Sequence, residues 1–229
     1  MPNLPILDIV AFLWFLGCAY GYDFVTRRGS LAGQGIIAAS QRRRNQWMEN
    51  MLRRENRIFD IQILSALSNA NTFFASTSVI IAGGLAALLG SGGKLRAMIE
   101  DWPYVEHASP LLWQLKTLFL LSLFVIAFFK FAWGYRLSHY TALMIGAMPM
   151  PCEDGEPTPQ CLAHAAQTAK LAGNAAEHAN TGMRTFYFAI AGIAWYLHPI
   201  LFMVASLWVV LVIYRREYLS NALDVIGED

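Results

Sequence analysis

The chain has 229 residues, of which 56% are hydrophobic and only 14% are charged. A soluble domain carries roughly 25% charged residues, so this composition is typical of a protein embedded in a membrane. The formal net charge is +1, which excludes a general electrostatic attraction to nucleic acid.

Four long apolar stretches lie near residues 4–22, 62–90, 112–135 and 186–214. Each is about as long as the roughly 20 residues that a helix needs to cross a bilayer core. Because backbone groups in lipid must be satisfied internally, we expect each stretch to be helical. The sequence therefore predicts an all-α integral membrane protein, a four-helix transmembrane bundle forming a single domain over residues 1–229.

The first connection, residues 23–61, concentrates eight of the chain's 17 basic residues. The positive-inside rule places this segment in the cytoplasm. Alternation then places residues 136–185 inside as well, and both the N-terminus and the C-terminus outside. We expect a multi-pass protein of the bacterial inner (plasma) membrane, with long helical extensions in both cytoplasmic segments.

The arginine-rich segment interleaves basic and apolar residues at helical spacing. Such a helix can lie at the interface with its arginines on anionic lipid head groups. The alternatives are a topology determinant with a solvated face, or a cytoplasmic extension packed on the second inside helix. The candidate anion or lipid head-group residues are Arg42, Arg43, Arg44, Arg53, Arg54 and Arg57.

The start of the second apolar stretch carries polar side chains along one helical face. Polar groups at membrane depth are expected to face protein or water rather than lipid. They either pack against another helix, as small hydroxyl residues do, or line a path for solutes. The candidate pathway-lining residues are Ser65, Ser68, Asn69, Thr72 and Ser76.

The second cytoplasmic segment contains an alanine-dense helix with a polar stripe. The stripe, a candidate vestibule or oligomer face, comprises His164, Gln167, Asn174 and His178. Its two histidines are about 21 Å apart along a helix, so they cannot ligate one metal unless they come from different subunits. Close packing of another helix on the alanines, in the same chain or a neighbouring subunit, is the simpler interpretation.

His198 and Pro199 lie within the fourth apolar stretch. Proline removes a backbone hydrogen bond and predicts a kink there. An intramembrane histidine is a functional candidate, but a structural hydrogen bond near the kink is the simpler expectation. No second axial ligand lies at a suitable depth, so no cofactor is predicted, and haem is kept only as an alternative. Lys116 and Lys130, near the ends of the third stretch, are expected to extend to the head groups.

Three segments resemble one known family, the DUF599 family of bacterial and plant membrane proteins. They are RENRIFDIQILSALSNANTFFASTSVIIAGGLAALLG, FKFAWGYRLSHYTALMIGAMP and RTFYFAIAGIAWYLHPILFMVASLWVVLVIYRREY. The FFAST run, a LIGA-type run after the third span and the LHP of the fourth occur in that order. The resemblance implies a compact membrane protein with about four spans, and it implies no activity.

No carboxylate pair, nucleophile triad or histidine-rich metal box occurs at suitable spacing, so neither an enzyme nor a metal site is predicted. We expect a homo-oligomeric pore or pathway for ions, anions favoured, or for small solutes, because four spans seldom enclose a pore alone. The alternative is a non-enzymatic accessory or scaffold subunit of a larger membrane complex. The expected partners are anionic membrane lipids and either further copies of the chain or other membrane subunits.

Overall fold

A computed structural model describes residues 6–27, 31, 33–91, 93, 109–150 and 157–227. Within these ranges the chain is almost entirely helical and forms no strand, which confirms the predicted all-α fold. A short 3₁₀ turn joins the fifth and sixth helices. The helices are α1 (Ile6–Arg27), α2 (Gly35–Met51), α3 (Ile58–Gly90), α4 (Pro110–Gly146), α5 (Pro159–Ile193), α6 (Pro199–Tyr218) and α7 (Asn221–Gly227), and the turn is Ala194–Tyr196.

Four segments are long and apolar enough to cross a membrane, which confirms the predicted membrane bundle. They are Ile6–Thr26, Ile58–Gly90, Pro110–Gly146 and Pro199–Gly227. Helix α4 has 37 residues. At 1.5 Å per residue it is about 55 Å long, well beyond a hydrocarbon core of about 30 Å. The third span therefore continues as a helix outside the bilayer.

The fourth apolar stretch, predicted as one span over 186–214, is divided where α5 ends. The backbone of His198 is extended (φ −161°, ψ 140°), and its Nδ1 accepts a hydrogen bond from Ile200 N at 3.2 Å. This residue caps α6, and Pro199 occupies the first helical position, where a missing N–H costs nothing. The chain reverses there, because Glu217 near the end of α6 pairs with Arg184 of α5. The expected kink is therefore a hairpin turn.

The reversal also changes the position of the C-terminal segment. Helix α7 packs against α2, and Arg43 Nε donates a hydrogen bond to the carbonyl oxygen of Ile226 at 3.0 Å. The prediction of an external C-terminus counted a single crossing where α5 and α6 run antiparallel. The end of α7 instead lies on the same side of the bundle as the arginine-rich helix.

Helix α4 is central, with α3 on one side and α5 on the other. Small residues on α5 allow the close approach. A Cβ atom added at Gly182 would lie 2.9 Å from the Phe131 ring, and one at Gly192 would lie 2.9 Å from a Leu120 methyl. The alanine-dense surface thus packs within the chain. Its buried alanines between α2, α4 and α5 are Ala165, Ala169, Ala172 and Ala175.

A buried ion pair links helices at the end of the bundle opposite α2. Lys116 Nζ lies 2.8 Å from Asp8 Oδ1, and the two side chains are 3% and 2% exposed. The indole N–H of Trp195 donates to the same carboxylate oxygen at 2.7 Å, and Lys116 also donates to the Trp195 carbonyl at 3.1 Å. Lys116 is therefore an internal link between α1, α4 and the α5–α6 turn, and it does not extend to the head groups as expected.

The start of α2 packs against the end of α6. Gly35 has φ +78°, a left-handed conformation that favours glycine. A Cβ atom there would lie 2.7 Å from the Glu217 carbonyl oxygen and 2.9 Å from the Tyr218 ring. Gly33 has nearly the same φ, +76°, but open space around it. The two glycines differ only in what surrounds them.

We expect Asp8→Asn to lower stability by roughly 3–5 kcal/mol, because it leaves the buried Lys116 ammonium without its counter-charge. The measurement is thermal unfolding of the purified protein in detergent. The double variant Asp8→Leu/Lys116→Met should recover part of this loss, since it removes both charges but leaves the Trp195 indole N–H without its acceptor. Arg215→Gln, an exposed change, is the control. A single variant as stable as this control would contradict the role of the pair.

We expect Gly35→Ala to loosen α2 more than Gly33→Ala does. Both substitutions carry the left-handed strain of about 1–2 kcal/mol, but only the methyl at position 35 overlaps neighbouring backbone. The measurement is the rate of tryptic cleavage at the α2 arginines in the folded protein. Equal cleavage rates for the two variants would show that the contact with α6 does not hold α2 in place.

Candidate functional site: a polar groove between α2 and α5

A polar groove lies between α2 and α5 at the end of the bundle that holds the arginine-rich helix. Its volume is about 860 Å³, within the range of roughly 300–1,000 Å³ of small-molecule sites. We call it the α2–α5 groove. Its polar lining consists of Thr26, Gln34, Gln41, Arg44, Asn45, Glu49, Lys170, Asn174, Glu177, Asn180, Thr181, Arg184 and Tyr218.

An ion pair closes the end of the groove nearest the membrane spans. Arg184 binds Glu217 with both arms, Nη2 to Oε2 at 2.6 Å and Nε to Oε1 at 2.9 Å. The Tyr22 hydroxyl donates to Glu217 Oε2 at 2.7 Å, and Asp23 Oδ1 lies 3.5 Å from Arg184 Nη1. The arginine is 12% exposed and its glutamate 14%. Arg184 is therefore neutralised within the protein while it joins α1, α5 and α6.

The two walls of the groove meet at Gln41. Its Nε2 donates to the Ala169 carbonyl and to Asn45 Oδ1, both at 3.1 Å. A Cβ atom at Gly173 would overlap the Gln41 carboxamide, so the glycine lets α2 approach α5 this closely. The groove lies on either side of this contact.

Two cations and two carboxylates remain in the groove besides Arg184. They are Arg44, Lys170, Glu49 and Glu177. Arg44 is partly buried, and burial lowers the pKa of its guanidinium. No described side chain forms an ion pair with Arg44 or Lys170. The groove is therefore mixed in charge, with two of its cations available to a ligand.

A second cavity of about 430 Å³ lies on the other side of the same α5 face. Lys130 and Trp133 of α4 line it together with His178. The residues common to both cavities are Asn174, Glu177 and Thr181. This face of α5 is thus a polar surface with a recess on each side.

The six candidate arginines divide into three groups. Three of them bind groups within the chain: Arg54 donates to Asp60, Arg57 to the Met148 and Pro149 carbonyls at the end of α4, and Arg43 to Ile226 and Gln46. Asp60 is fully buried and also accepts a hydrogen bond from the Trp47 indole at 2.7 Å. Only Arg44 lines the groove, while Arg42 and Arg53 are exposed and have no ionic partner among the described residues.

The candidate pathway residues lie elsewhere, on the side of α3 that faces away from α4. Four of them are exposed, and Ser68 is partly exposed with its hydroxyl donating to the Ser65 carbonyl at 3.0 Å. The residues of α3 that contact α4 are on the opposite side, and they include the buried Asn71 and Ser78. One protomer therefore does not bring the arginines and this polar face together.

The candidate vestibule stripe is also divided by the structure. His164 Nε2 lies 2.8 Å from the Met144 carbonyl, where it links α5 to the end of α4. Asn174 lines the groove, and Gln167 is exposed. The His178 and Trp133 rings lie edge to face, with their centroids 6.4 Å apart. Sequence reasoning missed the face that does line the groove, Lys170, Glu177 and Arg184, although their seven-residue spacing places them on one side of a helix.

The described residues contain no group of three His, Cys, Asp or Glu side chains that would hold a metal ion. His198 uses its Nδ1 to cap α6, and haem ligation by this residue stays an untested alternative. The groove offers charged and amide side chains for holding a polar molecule.

Neither a curated protein nor a solved structure matches the chain. The family described as "protein of unknown function, DUF599" matches residues 10–222, which is nearly the whole chain. This agrees with the resemblance found in the sequence, and the chain belongs to the DUF599 family of multi-span membrane proteins.

Proposed function

We propose that the protein is the subunit of a homo-oligomeric membrane assembly whose α3 helices line a pathway for ions, anions favoured, or for small solutes. The observation that carries the proposal is the polar face that α3 presents away from α4. Ser65, Asn69, Thr72 and Ser76 are exposed there, and no described residue hydrogen-bonds their side chains. No catalytic role is part of this proposal.

The position of this face relative to the bilayer supports the proposal. Phe74 stacks on Phe131 with ring centroids 5.4 Å apart, so Thr72 lies near the level of Trp133. An exposed tryptophan at the end of a span is typical of the membrane interface. Ser65 and Asn69 therefore lie outside the bilayer, Thr72 lies at the interface, and Ser76 lies about one turn inside. Polar groups at that depth are expected to meet protein or water.

Small residues continue the same face toward the far end of α3. Gly83, Ala87 and Gly90 follow Ser76 at spacings of 7, 4 and 3 residues and are exposed. Small residues let helices pack closely in membranes. This observation favours the second candidate, a non-enzymatic accessory subunit whose α3 packs against another membrane protein.

The orientation is part of the same proposal. We place the protein in the bacterial inner membrane with its N-terminus outside and the arginine-rich segment inside. The C-terminus is then also inside, since α7 packs on α2. This orientation requires α5 to cross the membrane in addition to the four long apolar segments. Arg42 is exposed on that side, where the negative surface potential of anionic lipids attracts cations.

Cysteine labelling tests the pathway. In a background without the native cysteines, Ser76→Cys and Gly83→Cys should react with a water-soluble thiol reagent in sealed vesicles, because both face the pathway. Leu207→Cys, exposed on apolar α6, should react only with a lipid-soluble maleimide. Ser78→Cys, fully buried against α4, should react with neither.

The labelling patterns separate the candidates. Water-soluble labelling at both α3 positions, with disulfide cross-links between identical chains, supports the pathway. Protection of both positions from both reagents supports the accessory subunit. If both behave like Leu207→Cys, this face of α3 meets lipid and both proposals fail.

A further inference from the structure

The α2–α5 groove holds two cations on facing walls. Gln41 contacts the Ala169 carbonyl across the groove at 3.1 Å. Arg44 follows Gln41 by one turn of α2, and Lys170 follows Ala169 directly on α5. Both line the same cavity, so the two cations lie near the same level of the groove.

No described side chain forms an ion pair with either of these two cations. Arg184, the third cation of the groove, is held by Glu217 and Asp23. Burial lowers the pKa of Arg44, but a guanidinium stays charged at neutral pH. A partly buried charge without a partner is unfavourable, and an anionic ligand between Arg44 and Lys170 would remove that penalty.

The rest of the groove favours a particular kind of anion. Glu49 and Glu177 also line it, so a ligand that is negative along its whole length would be repelled. The amides of Asn174 and Asn180 offer both donors and acceptors. This lining matches a molecule that has one anionic group and hydroxyl or amino groups beside it. The planar fork of arginine suits a phosphate better than it suits a spherical anion.

The depth of the two cations separates a soluble ligand from a lipid. Gly182 of α5 faces Phe131, and His164 faces Met144, so Lys170 lies level with about residue 140 of α4. That level is about 10–12 Å beyond Trp133, at 1.5 Å per residue. The head-group layer on each side of the bilayer is only about 5–8 Å thick. Arg44 and Lys170 therefore lie beyond the lipid phosphates, in the cytoplasmic extension.

We propose that the α2–α5 groove binds a small, water-soluble phosphate ester that carries hydroxyl or amino groups, with its phosphate between Arg44 and Lys170. The cavity of about 860 Å³ accommodates such a molecule. This site is independent of the α3 pathway, and either proposal can fail without the other.

The test uses the full-length protein in phosphatidylcholine nanodiscs, with sn-glycerol 3-phosphate as the probe and calorimetric titration as the readout. Wild-type protein should bind the probe, bind inorganic phosphate more weakly and not bind glycerol. Arg44→Gln should weaken binding about tenfold or more, because it removes a charge-assisted hydrogen bond. Arg53→Gln, an exposed arginine outside the groove, is the matched control and should change binding less than about twofold.

Lys170→Gln gives a second test at an exposed position, where the substitution is tolerated even if Arg44→Gln destabilises the fold. It should weaken binding in the same direction. Absence of probe binding to the wild type, or an equal loss in Arg53→Gln, overturns the proposal. The alternative is a lipid site. It would be identified if phosphatidylglycerol nanodiscs stabilise the wild-type protein but not Arg44→Gln, while the soluble probe does not bind. This outcome would overturn the proposal of a soluble ligand.

Discussion

The close antiparallel contact between α4 and α5 is the feature on which the other helices depend. Lipid supplies no hydrophobic force between helices, so association relies on close packing and polar links. The small residues of α5 supply the packing, and at Gly182 the Phe131 ring occupies the space of a side chain. Helices α2, α3 and α6 pack directly on this pair, while α1 packs on α6 and α7 on α2.

Ion pairs of charged side chains link the helices at both ends of the bundle. Asp8 and Lys116 join three parts of the chain at one end, and Arg184 and Glu217 do so at the other. Such links are strong in a low-dielectric interior because water does not compete for the same groups. Arg44 differs from the cations of these links, because it is partly buried and forms no ion pair with a described side chain. That difference is the basis for proposing a ligand in the groove.

Hydropathy was sufficient to predict the membrane bundle, and helical spacing was sufficient to place the polar side chains of α3 on one face. Hydropathy did not reveal the α5–α6 turn, because residues 186–214 on both sides of it form one long apolar stretch. His198-Pro199 was recognised as a break, but a kink and a reversal have the same local sequence.

The groove was beyond prediction for a different reason. The spacing of Lys170 and Arg184 places both residues on one side of α5, which forms one wall of the groove. The other wall is formed by α2, and its position depends on how α2 folds back onto α5. That arrangement follows from Gly35 seated against Glu217 and Gly173 against Gln41, two long-range contacts that a single sequence does not encode as a pattern.

The link at Asp8 also constrains how the protein is made. Trp195, which donates to that carboxylate, is synthesised 187 positions later. At about 5–20 residues per second, α1 waits roughly 10–40 seconds for this partner. Asp8 has no counter-charge until Lys116 of α4 is also in place, and burying an unpaired carboxylate is costly. The hydrogen bond from Trp195 to Asp8 therefore forms in the last stage of assembly, after the α5–α6 turn has been inserted. Chains that end before this turn lack this link between α1 and the rest of the bundle.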